Sequence, residues 1–358
     1  MGTSAVAAEA LTSSLGYEVI MPERPTQETL TLGTKHSPEF ACIPFKLVLG
    51  TYLEVLERGA EVLVSGGGMG PCRAGYYGEL HVRILRELGY DPEMIFFWPP
   101  HKTPMDTLRK VNRLRRGTSW WQTIKAVRLM WEKMKVLDDL ELLSHELRPR
   151  EKNRGRVSKA LESAVNMVQE AESVEETRQA AEQGKQLLNS VPLRDIDVDD
   201  LLKVGIIGEI YVQLEPAANF YLEEKLGELG VLARRSIFIT DFTKDDVLQM
   251  GDESIEELAE PYLAEMVGGH GLESVGETIH YARKGYDGVV QLAPFSCIPE
   301  IVAKSIMPKL SRDKGIPVFT LFIDEQTGAT GVETRLEAFV DMMRSRRRRT
   351  AQGVSIKS

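Results

Sequence analysis

Cysteine is scarce in this chain: among 358 residues there are only Cys42, Cys72 and Cys297. So low and odd a number excludes a disulfide framework and favours a reducing compartment. Each cysteine lies in a proline-flanked turn where a helix is predicted to begin, and the unpaired N–H groups of a helix start favour a thiolate. Two of the turns share the sequence Cys-Ile-Pro. The repeated setting favours metal ligands, and three separately buried thiols are the simpler alternative.

Long apolar runs are also missing, because none reaches the roughly 18 to 20 residues that a membrane span requires. The segment from Met1 to Ser14 lacks the cationic start and the apolar centre of a signal peptide. We therefore expect a cytoplasmic protein that is not associated with a membrane.

The chain has no excess of positive charge. Its net charge of −9 opposes binding to nucleic acid, and its 42% hydrophobic and 27% charged residues are ordinary for a globular protein long enough for two domains. Charge is uneven, however: residues 101–160 hold 16 Lys and Arg against 7 Asp and Glu, and residues 161–200 hold 3 against 10. Solvated helical faces explain this pattern, and an anionic partner or cofactor is the alternative.

The standard phosphate-binding motifs are absent from the glycine-rich segment at residues 65–75. The Rossmann fingerprint fails because Pro71 occupies its last glycine position, and the P-loop fails because Tyr76 follows Gly75. Closely spaced glycines still let backbone N–H groups approach an anionic centre, either a phosphate or the sulfides of an iron–sulfur cluster. The residues predicted to bind a cofactor in this way are Gly66, Gly67, Gly68 and Gly70.

Alternating predicted strands and helices indicate an α/β fold with two Rossmann-like lobes, each containing a parallel sheet. We predict a first lobe at 1–104, a helical subdomain at 105–200, a second lobe at 201–345 and a basic flexible tail at 346–358. The predicted strands are 17–21, 61–64 and 94–98 in the first lobe and 204–209, 236–240, 288–292 and 317–323 in the second. Two helical apolar stripes, one from Trp120 to Leu137 and one from Val157 to Ala171, are expected to form core.

The two lobes repeat one order of elements. In each, Cys-Ile-Pro precedes a helix, a strand and a loop, but only the first loop holds a further cysteine, Cys72. One lobe would supply two thiolates and the other one, which predicts a metal in the cleft between them. Three thiolates suit a [4Fe–4S] cluster with one iron left open, or zinc if a histidine completes the site, and His36 is the histidine nearest to Cys42 in sequence. We favour the cluster over zinc.

Five spaced motifs resemble the activase-related proteins of the 2-hydroxyacyl-CoA dehydratase family. They are Cys42-Ile-Pro-Phe-Lys46, Gly70-Pro-Cys-Arg-Ala-Gly-Tyr-Tyr77, Gly208-Glu-Ile-Tyr211, Pro294-Phe-Ser-Cys-Ile-Pro-Glu300, and Asp324-Glu-Gln-Thr-Gly328 with Thr334-Arg-Leu-Glu-Ala-Phe339. The resemblance implies two Rossmann-like lobes and a cluster held by Cys42, Cys72 and Cys297. It also implies an ATP-hydrolysing activator protein as partner and a low-potential electron donor.

The activity implied by the resemblance is dehydration or reduction of a CoA ester or another small molecule. Whether the chain is itself an enzyme stays open, because it has no ATPase motif and fewer cysteines than the related double-cubane proteins. Glu300, three residues after Cys297, is a candidate proton donor, and a favourable charge at a helix start is the alternative. A non-catalytic electron carrier or scaffold, a zinc-stabilised binding module and a homodimer are the other hypotheses.

Overall fold

A computed structural model describes residues 2–66, 72–97, 104–244 and 255–351. Within these ranges the protein has an α/β fold with two separate sheets, and all of the strands that pair within either sheet are parallel. The prediction of an α/β fold with two parallel sheets is therefore confirmed.

The elements follow one another in chain order. The first part contains α1 Ser4–Ser14, α2 Gln27–His36, α3 Ile43–Glu57, β1 Val62–Gly66, α4 Ala74–Glu87, β2 Glu93–Phe97 and α5 Pro104–Leu114. The central helices are α6 Trp120–Leu147, α7 Arg156–Glu170 and α8 Val174–Asn189. The remainder contains β3 Leu202–Gly208, α9 Ile210–Leu214, α10 Leu222–Glu228, β4 Val231–Arg235, α11 Ile239–Phe242, α12 Ile255–Ala259, α13 Gly271–Arg283, β5 Gly288–Pro294, α14 Ile298–Lys314, β6 Val318–Ile323 and α15 Ala329–Ala351.

The chain forms two compact units that interleave in sequence. The first unit comprises Met1–Asp138, Val165–Glu182 and Phe238–Asp252. The second comprises Asp139–Ala164, Gln183–Ile237 and Glu253–Ser358. The predicted helical subdomain at 105–200 therefore contributes residues to both units.

The first unit is built on the two-stranded sheet of β1 and β2. Leu63 faces the helices that cover this sheet, and its core cluster includes Phe45 and Leu49 of α3 and Leu85 of α4. A second cluster joins Leu114 of α5 to Ala126 of α6. Hydrophobic burial of these helix faces holds α3 and α4 against the sheet and so fixes where each helix starts.

The second unit contains a four-stranded sheet in the order β4-β3-β5-β6. Every residue of β5 is buried, as expected for a central strand of a covered parallel sheet. The core on one face includes Ile207 of β3, Val275 and Ile279 of α13 and Ala303 of α14. The packing of α13 against α14 positions the start of α14 beside the end of β5.

Two of the predicted strands are not strands in the structure. Residues 17–21 have no strand pairing, and the last two residues of 236–240 already belong to the short helix α11. The strand of that region is β4. Its charged residues Arg234 and Arg235 interrupt the apolar pattern by which a buried strand is predicted from sequence. Arg235 is only 5% exposed because the carboxylates of Glu141 and Glu223 pair with its guanidinium.

The predicted core stripe of α6 is wrong in its first half. Trp120 is 46% and Trp121 61% exposed, whereas the small side chains of Thr123 and Ala126 are buried. Small residues allow α6 to pack closely, and they leave the larger side chains outside. The stripe of α7 is confirmed, since Val157, Ala164, Val168 and Ala171 are all buried.

The final helix continues past residue 346, where we predicted a flexible tail to start. Arg346 donates to the carbonyl of Gly315, and Arg347 donates to the carbonyls of Asp200 and Leu201. These contacts anchor the basic stretch to the second unit. Among the helices of the described ranges, none is long and apolar enough to cross a bilayer.

Candidate metal centre

Cys42 and Cys297 occupy the same position in their helices. Cys42 is the residue immediately before α3, with φ −73° and ψ 160°, and Cys297 is the residue immediately before α14, with φ −72° and ψ 104°. In both cases proline is the second helical residue, and the thiol makes no capping hydrogen bond to its own helix. The prediction that each Cys-Ile-Pro opens a helix is confirmed.

Tyr77 contacts one of the two cysteines of the first unit. It lies in the first turn of α4, and its hydroxyl is 2.5 Å from the Sγ atom of Cys42. Burial raises the pKa of Tyr77 far above its ordinary value, and the neighbouring Cys42 and Cys72 thiols raise it further, with Arg73 opposing them. Cys42 is thus the cysteine in contact with the phenol, and Cys72 acts on it only through its charge.

A group of stacked aromatic rings packs against Tyr77. Phe45 contacts Tyr77 edge to face, with ring centres 4.9 Å apart, and lies parallel to the imidazole of His81 at 4.1 Å. His81 donates from Nε2 to the carbonyl of Phe45 at 3.1 Å, and burial lowers the pKa of His81 to about 4. The backbone bond occupies Nε2 of His81 and fixes the imidazole ring against Phe45, which in turn contacts Tyr77.

Two cations hold the turn that precedes Cys42. Arg73 donates from Nη1 to the carbonyl of Phe40 at 2.8 Å, and Lys46 donates from Nζ to the carbonyl of Glu39 at 3.1 Å. Lys46 is nearly buried. Both cations thus fix the backbone of this turn through its carbonyl groups.

Cys297 belongs to the second unit and follows β5 at the carboxyl end of its sheet. The amide of Cys297 donates to the carbonyl of Pro294 at 2.9 Å, and Ser296 adopts a left-handed conformation with φ 66°. This tight turn leads directly from β5 into α14. Open parallel sheets place their functional groups at this edge.

Glu300, the candidate proton donor, is completely buried in the first turn of α14. The hydroxyl of Ser274 lies 3.1 Å from both carboxyl oxygens of Glu300, and the side-chain amide of Gln291 donates to one of them at 2.8 Å. Burial raises the pKa of Glu300 to about 8, against these two hydrogen bonds, which lower it. Burial thus favours the protonated form of this carboxyl near neutral pH.

Glu209 is a second carboxyl in the same unit, immediately after β3. It caps α9 by accepting from the amide of Val212 at 3.0 Å, and burial raises its pKa to about 7. The charge of Glu209 contributes to the raised pKa of Glu300. Gly208 makes this turn at φ 126°, where a Cβ atom would lie only 2.1 Å from the carbonyl oxygen of Leu292.

The predicted cofactor-binding glycines fall almost entirely outside the described residues. Gly67, Gly68 and Gly70 lie beyond them, and Gly66 ends β1 with open space around its Cα. Across the ranges that the structure describes, no three His, Cys, Asp or Glu side chains are grouped so that they could hold a metal ion. Of the three predicted ligands, Cys42 and Cys72 belong to the first unit and Cys297 belongs to the second.

Tyr77 is the site residue to which the sequence assigned no role. It was part of a recognisable motif, and its spacing from His81, one helical turn later, was the available signal. A tyrosine next to a cysteine in space could not be identified from the sequence, because 35 residues separate Tyr77 from Cys42.

The chain matches no protein-family model. A search of curated proteins also finds no relative of this chain.

Proposed function

We propose that this protein is an iron–sulfur protein of the 2-hydroxyacyl-CoA dehydratase type, with Cys42, Cys72 and Cys297 as the ligands of a [4Fe–4S] cluster. The observation that carries the proposal is the contact of the Cys42 thiol with the hydroxyl of Tyr77, a phenol whose pKa the charge of Cys72 also raises. The matching helix starts at Cys42 and Cys297 support the same chemical role for the third thiol. Cys42 and Cys72 are residues of the first unit, and Cys297 is a residue of the second.

The residues around Cys42 and Cys72 suit a thiolate-bound group. Tyr77 stays protonated and can donate its O–H to the Cys42 thiolate, which offsets negative charge on the sulfur. Arg73 and Lys46 hold the turn before Cys42 through the carbonyls of Phe40 and Glu39. A bound cluster would supply low-potential electron transfer, and with three thiolates it would keep one iron free of a protein sulfur.

The reaction class in this proposal is reduction or dehydration of a CoA ester or another small molecule. Glu300 would hold the proton for such a reaction, since its carboxyl is protonated at neutral pH. Because the sequence has no P-loop, ATP hydrolysis is assigned to a separate activator protein that passes electrons to this one. A cytoplasmic location is part of the proposal, since the thiols must stay reduced.

Metal analysis of protein purified without oxygen tests the ligand set. We expect about four irons and four acid-labile sulfides per chain, with loss of iron in Cys42→Ser, Cys72→Ser and Cys297→Ser. Ser305→Ala, at an exposed serine of α14, is the control and should retain the full iron content. Circular dichroism must show that the cysteine variants remain folded.

The same measurement separates the alternatives. Zinc in place of iron would establish the zinc-stabilised module and reject the cluster. Iron lost only in the Cys42 and Cys72 variants would reject Cys297 as a ligand. A complete cluster that accepts electrons but supports no turnover of CoA esters with an activator would favour the electron carrier over the enzyme.

A further inference from the structure

Large apolar side chains are exposed on α5 and on the first half of α6, two helices of the first unit that share a core cluster. The exposed residues are Met105, Leu108, Trp120, Trp121, Ile124 and Val127. Two adjacent exposed tryptophans are unusual on a free surface, and tryptophan is enriched where proteins bind each other. We call this surface the tryptophan face.

The tryptophan face is strongly basic. Residues 104–128 contain seven Lys and Arg and one Asp, a net charge of +6 in a chain of net charge −9. The guanidinium of Arg115 lies 4.7 Å from the ring centre of Trp120, and the Nζ atom of Lys125 lies 5.7 Å from that of Trp121. An occupant of this surface must therefore offer apolar contacts and negative charge together.

The tryptophan face continues into an apolar groove of about 590 Å³. Val127 and Trp131 of α6 line the groove from one side, and Val174 of α8 lines it from the other. Arg178 and Glu132 are also lining residues, and they pair with each other at 2.9 Å. Because Arg178 and Glu132 neutralise each other, the net charge on each side of the groove is set by the other charged residues.

The opposite side of the groove is acidic. Residues 165–182 contain five Glu and one Arg, a net charge of −4. Glu172 and Glu175 are exposed at the start of α8, and Glu175 lies one turn before the groove residue Arg178. The surface thus runs from basic, through apolar, to acidic across one groove.

We propose that this surface binds a second copy of the same chain. A twofold axis that runs along the groove would place the basic side of each copy over the acidic side of the other and would bring the two apolar grooves together. Such a surface is complementary to itself, which is the requirement for a twofold dimer. An anionic bilayer fits less well because it would repel the acidic side.

A charge-exchange experiment tests the dimer in the full-length protein. Sedimentation velocity over a concentration series should show a monomer–dimer equilibrium. The variants Lys125→Glu/Arg128→Glu and Glu172→Lys/Glu175→Lys should each be monomers, because each turns both contacts of the dimer into like-charge contacts. An equimolar mixture of the two variants should dimerise again, because both contacts then pair opposite charges.

Two further variants distinguish the surface from general charge effects. Trp120→Ala/Trp121→Ala should weaken dimerisation by at least about tenfold, since buried tryptophans contribute strongly to interfaces. Arg348→Glu/Arg349→Glu changes two exposed charges on α15 and should leave dimerisation unchanged. A monomer at all concentrations, no rescue in the mixture, or binding of the monomer to phosphatidylglycerol vesicles would overturn the proposal.

Discussion

The first turns of α3 and α14 begin with the same three residues and differ at the fourth. Phe45 follows Cys42-Ile-Pro, and Glu300 follows Cys297-Ile-Pro, and both side chains are completely buried. Phe45 packs against the rings of Tyr77 and His81, whereas Glu300 is held by Ser274 and Gln291. The same kind of helix start is therefore followed by a buried aromatic ring in one unit and by a buried carboxyl in the other.

The two buried side chains differ in what they can do: one positions a neighbouring side chain, and the other can bind and release a proton. In the first unit the buried ring fixes the tyrosine that contacts the thiol, and the nearby histidine is neutral. In the second unit a buried carboxyl keeps a proton that can be exchanged near neutral pH. The first unit therefore positions a phenol against its thiol, and the second unit buries a titratable carboxyl three residues after its cysteine.

Replacing Phe45 with alanine should produce the largest effect on stability. The substitution removes a fully buried ring and leaves a cavity beside His81 and Tyr77, which typically costs about 3–5 kcal/mol. Denaturant unfolding at neutral pH measures the loss. Phe40→Ala, at a neighbouring phenylalanine that is 69% exposed, should change the unfolding free energy by no more than about 0.5 kcal/mol. Equal effects of the two variants would show that the ring stack does not stabilise this unit.

Glu300→Gln should change the pH dependence of stability. The pKa of Glu300 rises from 4.5 when unfolded to about 8 when folded. The folded protein therefore binds a proton that the unfolded chain has lost, so this group's contribution to stability is complete below pH 4.5 and disappears as pH rises toward 8. The neutral amide avoids that loss, which is on the order of a few kcal/mol.

The measurement for Glu300→Gln is the unfolding free energy at a series of pH values from about 5 to about 9, a range that includes the pKa of about 8. The variant should gain stability relative to the wild type as pH increases. Glu325→Gln is the control, because Glu325 is a partly exposed residue of the loop after β6. A parallel pH dependence for Glu300→Gln and wild type would show that Glu300 is ionised throughout.

Tyr77→Phe should have the smallest effect on stability and a selective effect on one thiol. Loss of a single hydrogen bond costs about 1 kcal/mol, and loss of the O–H donor should reduce the thiolate fraction of Cys42. Alkylation of metal-free protein, followed peptide by peptide in a mass spectrometer, should slow roughly fivefold at Cys42. Cys297 serves as the internal reference, and an equal change at both cysteines would contradict a specific contact.

The sequence was a good guide wherever local pattern decided the structure. The helix starts at Cys42 and Cys297, the buried strand β5 and the stripe of α7 follow from proline placement and apolar spacing. It was a poor guide where distant residues decided. The strand β4 carries Arg235, which can be buried only because Glu141 and Glu223 approach it from other segments. The contact of Tyr77 with Cys42 likewise depends on the packing of α3 with α4.

The helix α6 shows a third reason why prediction from the sequence fails. Its apolar period was visible in the sequence, but the side that enters the core is marked by Thr123 and Ala126 rather than by the tryptophans. Size alone suggests the opposite, because large apolar side chains are usually buried. An exposed tryptophan pair therefore signals a surface that has another use.

Interleaving of the two units has a practical consequence for how this protein can be divided. The chain leaves the first unit within α6, at Asp138, and returns to it within α7, at Val165. A gene cut between the two predicted lobes would therefore not separate the two units. Each fragment would lack helices that complete its core. Fragments made this way should aggregate, and a useful two-part version would need circular permutation rather than truncation.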